Sequence, residues 1–394
     1  MNRFKKIKEV CTISGGYAFK SKDFTTEGTP IIRIGDIYDN KVTITLGTAF
    51  IKEYSEKVNK FIIERGDILV ALSGATTGKF GIYNEDIPSL LNQRVAKISP
   101  GEDVDNRYLY HYMNMLQNVI YSKALGCAQP NISPSEIGEL DIYVPELSEQ
   151  LRISEVLDIA KEMLDKRKEQ IEELDELVKS KFIEMFGNPV SNEKGWNKEI
   201  CKSISSKIGS GATPKGGNLS YKEEGISLIR SMNVYNNRFV NKDLAFIDDE
   251  QAEKLKNVIV ECNDVLLNIT GASVARCCIV PTEYIPARVN QHVAIIRCCE
   301  NRIVPKFLEY QITNENYQRF LWDIATSGGA TREAITKQQI ENLELIVPPI
   351  ELQNQFSEFV KQVDKLKFEM EKSLKELENN FNSLIQKAFN GELF

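Results

Sequence analysis

The chain is written twice, and this repeat constrains its fold more than any other feature. "GTPIIRIGDI" (28–37) is answered by "GISLIRSMNV" (225–234), and "GDILVALSGATTGKFGIY" (66–83) by "NDVLLNITGASVARCCIV" (263–280), both at an offset of 197. The offset is 198 for "LNQRVAKI" (91–98) against "VNQHVAII" (289–296), and 203 for "ISPSEIGELDIYVP" (132–145) against "ITKQQIENLELIVP" (335–348). Insertions fall between the motifs, as they do in surface loops. A length of 394 residues exceeds what one core commonly serves, so two like domains are expected.

Each half opens with short alternating segments separated by Gly, Asn and Asp, such as "TPIIRIGDIYDNKVTI" and "ISLIRSMNVYNNRFV", which predict strands and turns. A helix is expected in "RYLYHYMNMLQNVIYSKA" and again in "PKFLEYQITNENYQRFLWDIA". Each half then closes with a long helix, from Glu149 to Phe186 and from Ile350 to Phe389, bounded by Pro145 and "GNP" in one copy and by Pro349 and Gly391 in the other. Apolar residues recur in steps of four and three: Ile153, Leu157, Leu164, Ile171, Leu174 and Val178 in the first helix. The second carries Phe356, Val360, Val363, Met370, Leu374, Leu377 and Phe381. Such a heptad seam predicts that the two helices run antiparallel as a coiled coil, because a helix of about 57 Å overhangs a domain of this size.

The expected fold is therefore α+β: two tandem-repeated globular α/β domains separated by two long antiparallel helices. The predicted limits are 1–146 and 189–349 for the domains, 147–188 and 350–394 for the helices.

The stretch "SGATTGKF" (73–80) nearly spells a phosphate-binding loop. A true one reads G-x-x-x-x-G-K-[ST], the hydroxyl holding Mg²⁺. Here Ser73 stands for the first Gly and Phe80 for the hydroxyl, and the second copy, "TGASVARC", lacks the Gly-Lys pair altogether. What both copies keep is a hairpin with one basic residue, Lys79 or Arg276. A nucleotide-dependent enzyme built on this loop remains an alternative reading, as does a coiled-coil adaptor that binds proteins.

Eight cysteines form no regular framework and no C-x-x-C pair, which predicts free thiols. The doublets Cys277/Cys278 and Cys298/Cys299 are poor metal sites, since neighbours on a strand point to opposite faces. No metal is expected. No stretch of about 18 apolar residues exists, and a cytoplasmic location with no membrane contact is expected. The net charge of -7 argues against a strongly basic nucleic-acid binder, but the long helices carry -5 of it. Local basic faces are thus possible on the domains, with Lys20, Lys22, Arg33, Lys79, Arg94 and Lys97 in the first half and Lys215, Arg230, Arg276, Arg288 and Arg297 in the second.

The duplicated order of strand, Gly-hairpin, Asn-Gln, Val-Pro and long helix, with "LLNQRVAKI"/"RVNQHVAII", "DIYVPELSEQLRISEVL"/"ELIVPPIELQNQFSEFV" and the tail "LIQKAFNGELF", resembles the specificity subunit of type I restriction-modification enzymes over essentially the whole chain. The resemblance implies that each globular half is a target recognition domain reading one half of a split, asymmetric DNA sequence, with the paired helices as a ruler. It further implies a non-catalytic chain that binds no cofactor itself. Two modification subunits would bring S-adenosylmethionine for adenine N6 methylation, and restriction subunits would bring ATP and Mg. The absence of an Asn/Asp-Pro-Pro-aromatic motif agrees with that division.

DNA contact needs basic and amide side chains at phosphates and groove edges. On this footing Lys20, Lys22, Arg33, Lys79, Asn92, Gln93 and Arg94 are the expected DNA-binding residues of the first half. Lys215, Arg230, Arg276, Asn290, Gln291, His292 and Arg332 are those of the second. The competing reading has Asn and Gln satisfying backbone groups at a strand end. Base readers are expected where the copies diverge, as in "GGYAFKSKDF" against "GSGATPKGGNLSYK" and "GCAQPN" against "GGATRE".

Overall fold

The computed structural model describes residues 3–125, 130–214, 216–327 and 333–394. The chain divides into two compact units, Met1–Lys168 with Lys372–Phe394, and Glu169–Glu371. The division cuts both long helices in mid-course and does not follow the predicted limits at 146, 188 and 349. Each unit is described by itself.

In unit one the strand Ile68–Ala71 is buried on both faces. Side chains alternate along a strand, so Ile68 and Val70 enter one core together with Ala96, Ile98 and the helix Asn106–Ala124. Leu69 and Ala71 enter another with Ile32, Ile37 and Val95. This strand sits inside a six-stranded sheet ordered Cys11–Gly15, Val95–Pro100, Ile68–Ala71, Phe80–Tyr83, Lys41–Val42 and Ile37–Tyr38. Ala49–Ile51, Thr29–Ile32, Ser89–Leu91 and Ile62–Ile63 make a four-stranded sheet in which Ser89–Leu91 runs parallel to Thr29–Ile32.

Unit two repeats the plan. Val265–Asn268 is the doubly buried strand; Val265 and Leu267 face one core, Leu266 the other. It lies between Val293–Cys298 and Cys277–Ile279, with Ser205–Ser210 at the edge. The register repeats too: Val95 stands opposite Ala71, and Val293 opposite Asn268. Cys277 and Cys278 enter the two different cores, and the described residues contain no cluster able to hold a metal ion.

One element differs from expectation. The helix of the first copy runs unbroken over Asn106–Ala124, but its counterpart is two helices, Pro305–Thr313 and Glu315–Thr326. Asn314 interrupts it with an extended ψ of 136°, and its side chain accepts from the Asn316 amide to cap the second piece. A short polar side chain that bonds nearby backbone favours such a cap over a helix interior.

The long helices span Leu147–Phe186 and Ile350–Asn390, and the residues following them, Gly187 and Gly391, both have a φ of 75°, the left-handed stop that glycine supplies without strain. Each helix is anchored at its start by a fully buried glutamine. Gln150 accepts from the Asp105 amide (2.9 Å) and donates to the Asp103 and Pro145 carbonyls (2.8 Å each). Gln353 likewise accepts from the Val304 amide and donates to Arg302 and Pro348.

Parts of both helices line each core. In unit one Ile153, Leu157 and Leu164 share a core with Phe381, Ile385 and Phe389, with Leu374 and Leu377 packed against it. In unit two Val178, Phe182 and Phe186 join Phe356, Val360 and Val363, with Leu174 beside them. Two predicted seam residues, Ile171 and Met370, are only half-buried and belong to neither core. Conversely, Phe182, Phe186, Ile385 and Phe389 lie off the predicted seam and are buried. Phe389 meets Tyr112 at 4.7 Å and Phe186 meets Phe307 at 4.7 Å between ring centroids. There a helix faces both the other long helix and the globular part of the unit it ends in, so its buried stripe is wider than a heptad seam.

His111 is buried in unit one, its Nε2 2.6 Å from Asp158 on the first long helix, which also pairs with Arg107. Burial lowers the His111 pKa and outweighs the nearby carboxylate. For Asp158, burial pushes upward, but the hydrogen bonds from Arg107 and His111 prevail and hold it below the usual carboxylate range.

Two expectations follow for the folded state. Replacing Gln353 by Ala leaves buried backbone groups unpaired and costs about 2–3 kcal/mol, read as a lower urea midpoint. Because His111 stays neutral when folded but protonates when unfolded, stability declines as pH falls below about 6.5. His111→Gln flattens that decline when thermal unfolding is compared at neutral and mildly acid pH.

Candidate nucleic-acid interface

Three segments converge on one edge of each unit, and backbone hydrogen bonds hold them there. In unit one the Leu72 amide, just before the hairpin Ser73–Lys79, donates to the Arg94 carbonyl (2.9 Å). The Gln93 amide donates to Tyr17 (2.9 Å) in the loop that leaves the strand Cys11–Gly15. Gly74 donates to Pro130 (2.9 Å), which brings in the chain after the helix Asn106–Ala124. In unit two the Ile269 amide donates to His292, Gly211 to Asn290 and Gly271 to Glu333, reproducing the same junction.

The loop crosses the Asn-Gln turn so closely that only glycine fits. A Cβ on Gly16 would lie 2.2 Å from the Asn92 carbonyl oxygen, and one on Gly211 would lie 1.7 Å from that of Val289. Both values are far inside van der Waals contact, so a side chain here must displace the loop.

Lys20, Lys22, Lys79, Gln93 and Arg94 are all exposed in unit one. In unit two Gln291 is exposed, while Arg276 and His292 are half-buried. The Arg276 guanidinium lies over the Tyr235 ring at 4.5 Å, a stacked arrangement that fixes the direction of its donors. Arg276, Tyr235, His292, Thr270, Ser231 and Met232 line a cleft of about 650 Å³. Lys215 and Arg332 lie outside the described residues, as does most of the divergent pair "GCAQPN" and "GGATRE".

Several expected contacts have other tasks. Asn92 and Asn290 are buried, and their side-chain oxygens accept from the Arg94 and His292 amides within the turn. Their oxygens are engaged within the turn, while Gln93 and Gln291, which the competing reading grouped with them, are exposed. Arg33 donates to the Gly47 carbonyl (2.5 Å) and lies over Phe24, and Arg230 donates to the Asp243 carbonyl and lies over Tyr221. Each arginine ties down a loop of its own unit. Lys97 pairs with Asp67, Arg297 binds Asp264 through two 2.8 Å contacts, and the buried Arg288 donates to Ala252. These three do not form an open basic face.

"SGATTGKF" does not build a phosphate cradle. The amides of Gly74, Thr77, Gly78 and Lys79 donate to the carbonyls of Pro130, Gly74, Ala71 and Thr76. The segment leads into the strand Phe80–Tyr83, where a phosphate-binding loop leads into a helix N-terminus.

Sequence reasoning did not single out Tyr235 or Thr270, and it held Thr213 only within the divergent stretch "GSGATPKGGNLSYK". Thr213 donates to Gln291 Oε1, and Thr270 Oγ1 lies 2.6 Å from His292 Nδ1. The pairing of "DIYDN" with "NVYNN" in the repeat was the available signal for the tyrosine. That Thr213 and Thr270 meet at the turn carries no signal, since they reach it from distant segments.

Known proteins show both the family and the fold of this chain. A family model described as "Type I restriction modification DNA specificity domain" matches residues 2–176 and again 189–379. The EcoBI specificity subunit of Escherichia coli is 25% identical, the match covering 98% of this chain and 85% of the relative. Among solved structures, the type I restriction-modification S subunit from M. genitalium superposes with a TM-score of 0.55 at 16% identity, over 98% of this chain and 95% of that one. A chain from a structure on complex assembly and conformational transition of the type I R-M system gives 0.60 at 17% identity, covering 99% and 98%. With the family model matched twice, once in each half of the repeat, this chain belongs to the type I restriction-modification DNA specificity family.

Proposed function

We propose that this chain is the DNA-specificity subunit of a type I restriction-modification complex, each unit reading one half of a bipartite, asymmetric target. The observation that carries this reading is the twice-built edge: hairpin, Asn-Gln turn and loop come together in both units, yet present different side chains. Lys79 in one copy corresponds to Arg276 in the other, and Arg94 to His292. Equal scaffolds with unequal side chains around the turn suit two different half-sites. The subunit itself takes no cofactor in this reading. Modification subunits contribute S-adenosylmethionine for adenine N6 methylation, and restriction subunits contribute ATP and Mg.

The long helices act as an antiparallel spacer. Two ion pairs support this: Lys168 with Glu378 at 4.0 Å in unit one, and Asp175 with Lys367 at 2.6 Å in unit two. As the number rises along one helix it falls along the other. Apolar residues left exposed on the helices, such as Ile159 and Met163 or Leu366 and Phe368, offer surface for the modification subunits. Among the described residues no helix is long and apolar enough to cross a membrane.

Three measurements test the proposal. The reconstituted complex with modification subunits retains a specific duplex at moderate salt; retention of protein partners without DNA would favour an adaptor instead. Lys79→Ala weakens binding to all sequences alike and lowers the salt slope by about one if Lys79 meets a phosphate. Adding seven residues to each long helix, after 168 and before 372, preserves the seam and lengthens the spacer by about 10 Å. The methylated half-sites should then move apart by about three base pairs.

A further inference from the structure

Gln291 is an exposed glutamine held at both ends of its carboxamide. Thr213 Oγ1 donates to its Oε1, and its Nε2 lies 3.0 Å from His292 Nε2. His292 Nδ1 in turn lies 2.6 Å from Thr270 Oγ1. The proton positions follow from chemistry. An amide NH₂ can only donate, so His292 Nε2 accepts, the ring proton sits on Nδ1, and Nδ1 donates to Thr270. The chain Gln291–His292–Thr270 is thus satisfied with Nε2 as acceptor and Nδ1 as donor.

This network joins three separate segments. Thr213 lies in the loop whose crossing Gly211 permits, Gln291 and His292 in the turn, and Thr270 at the hairpin. An exposed glutamine loses rotamer freedom when it is fixed in this way, a loss that a binding side chain recovers through preorganisation. Unit one lacks the brace. Among the described residues the Gln93 carboxamide has no hydrogen-bond partner, and Arg94 stands where His292 does. An arginine has no acceptor to offer an amide N–H.

We propose that Gln291 reads an adenine in the half-site recognised by unit two, with His292 as the positioning residue that holds it; this rests on the DNA-specificity reading above. A carboxamide has two acceptor lone pairs on its oxygen and two N–H donors on its nitrogen. One of each is used internally, so one acceptor and one donor remain. Adenine offers the complement in the major groove, an N6 donor beside the N7 acceptor. Guanine offers two acceptors there and leaves the Gln291 oxygen without a donor. Arg276, stacked on Tyr235, lines a cleft with His292, the residue that holds Gln291, and has donors for a phosphate or a neighbouring base.

The test uses the full complex with its modification subunits. Mapping methylated adenines with the unaltered chain first defines both half-sites. Binding is then measured to duplexes in which each base pair is replaced in turn. Gln291→Ala is expected to lose about tenfold or more of the discrimination at one A·T pair of one half-site, with the other half unchanged. Gln291→Glu keeps the acceptor but lacks the donor, and shifts preference at that pair toward cytosine, whose N4 donates. His292→Ala relaxes the same pair, and adding it to Gln291→Ala brings no further loss, since the histidine acts only through the glutamine. Unchanged discrimination at every pair in Gln291→Ala, or an equal loss of affinity for all duplexes, overturns the inference. If the unaltered complex shows no bipartite methylated sequence at all, the specificity-subunit reading itself fails.

Discussion

Neither globular half of this protein closes its core with its own residues alone. Tyr108 and Tyr112 in unit one pack on Phe389, close to the end of the chain, and Phe307 in unit two packs on Phe182 and Phe186 from the first long helix. Core packing of large aromatics is among the strongest stabilising contributions a fold can have, so each unit depends on both long helices. The buried glutamines Gln150 and Gln353 then fix where each helix starts by saturating backbone groups that water cannot reach.

That dependence ties scaffold to site. The doubly buried strands Ile68–Ala71 and Val265–Asn268 occupy the same register against their neighbours in both units. Each ends at the hairpin edge, and the Asn-Gln turn comes from the strand paired beside it. A one-residue slip would turn every buried side chain to the wrong face, so the core holds the register and the register holds the edge. The edge can therefore vary in chemistry, lysine against arginine and arginine against histidine, without disturbing the fold that presents it.

Much of this was legible in the chain. The repeat, the presence of strands and the limits of both long helices follow from periodicity and from Pro and Gly at the boundaries, all local signals. The seam was legible only in part. Ile171 and Met370 obey the heptad but are half-buried, whereas Phe182 and Phe389 break it and are buried, because periodicity registers one facing surface and these helices have two. The broken counterpart of the Asn106–Ala124 helix turned on a single capping side chain, Asn314, within a segment whose apolar spacing still reads as continuous helix.

The site shows the same limit more sharply. Residue type alone put Arg33, Arg230, Asn92 and Asn290 with Lys79 and Gln291, since all are polar and lie near repeated motifs. Which of their atoms are free depends on contacts made on folding: the Gly47 and Asp243 carbonyls each take one donor of an arginine, and the turn engages the oxygens of the two asparagines. The sequence by itself determined the duplication, the α and β elements and the positions where the copies differ, because these rest on short-range patterns. Tertiary structure decided which polar side chains are spent and which are presented, because a hydrogen bond to Gln291 from Thr213, 78 residues away, leaves no trace in local order.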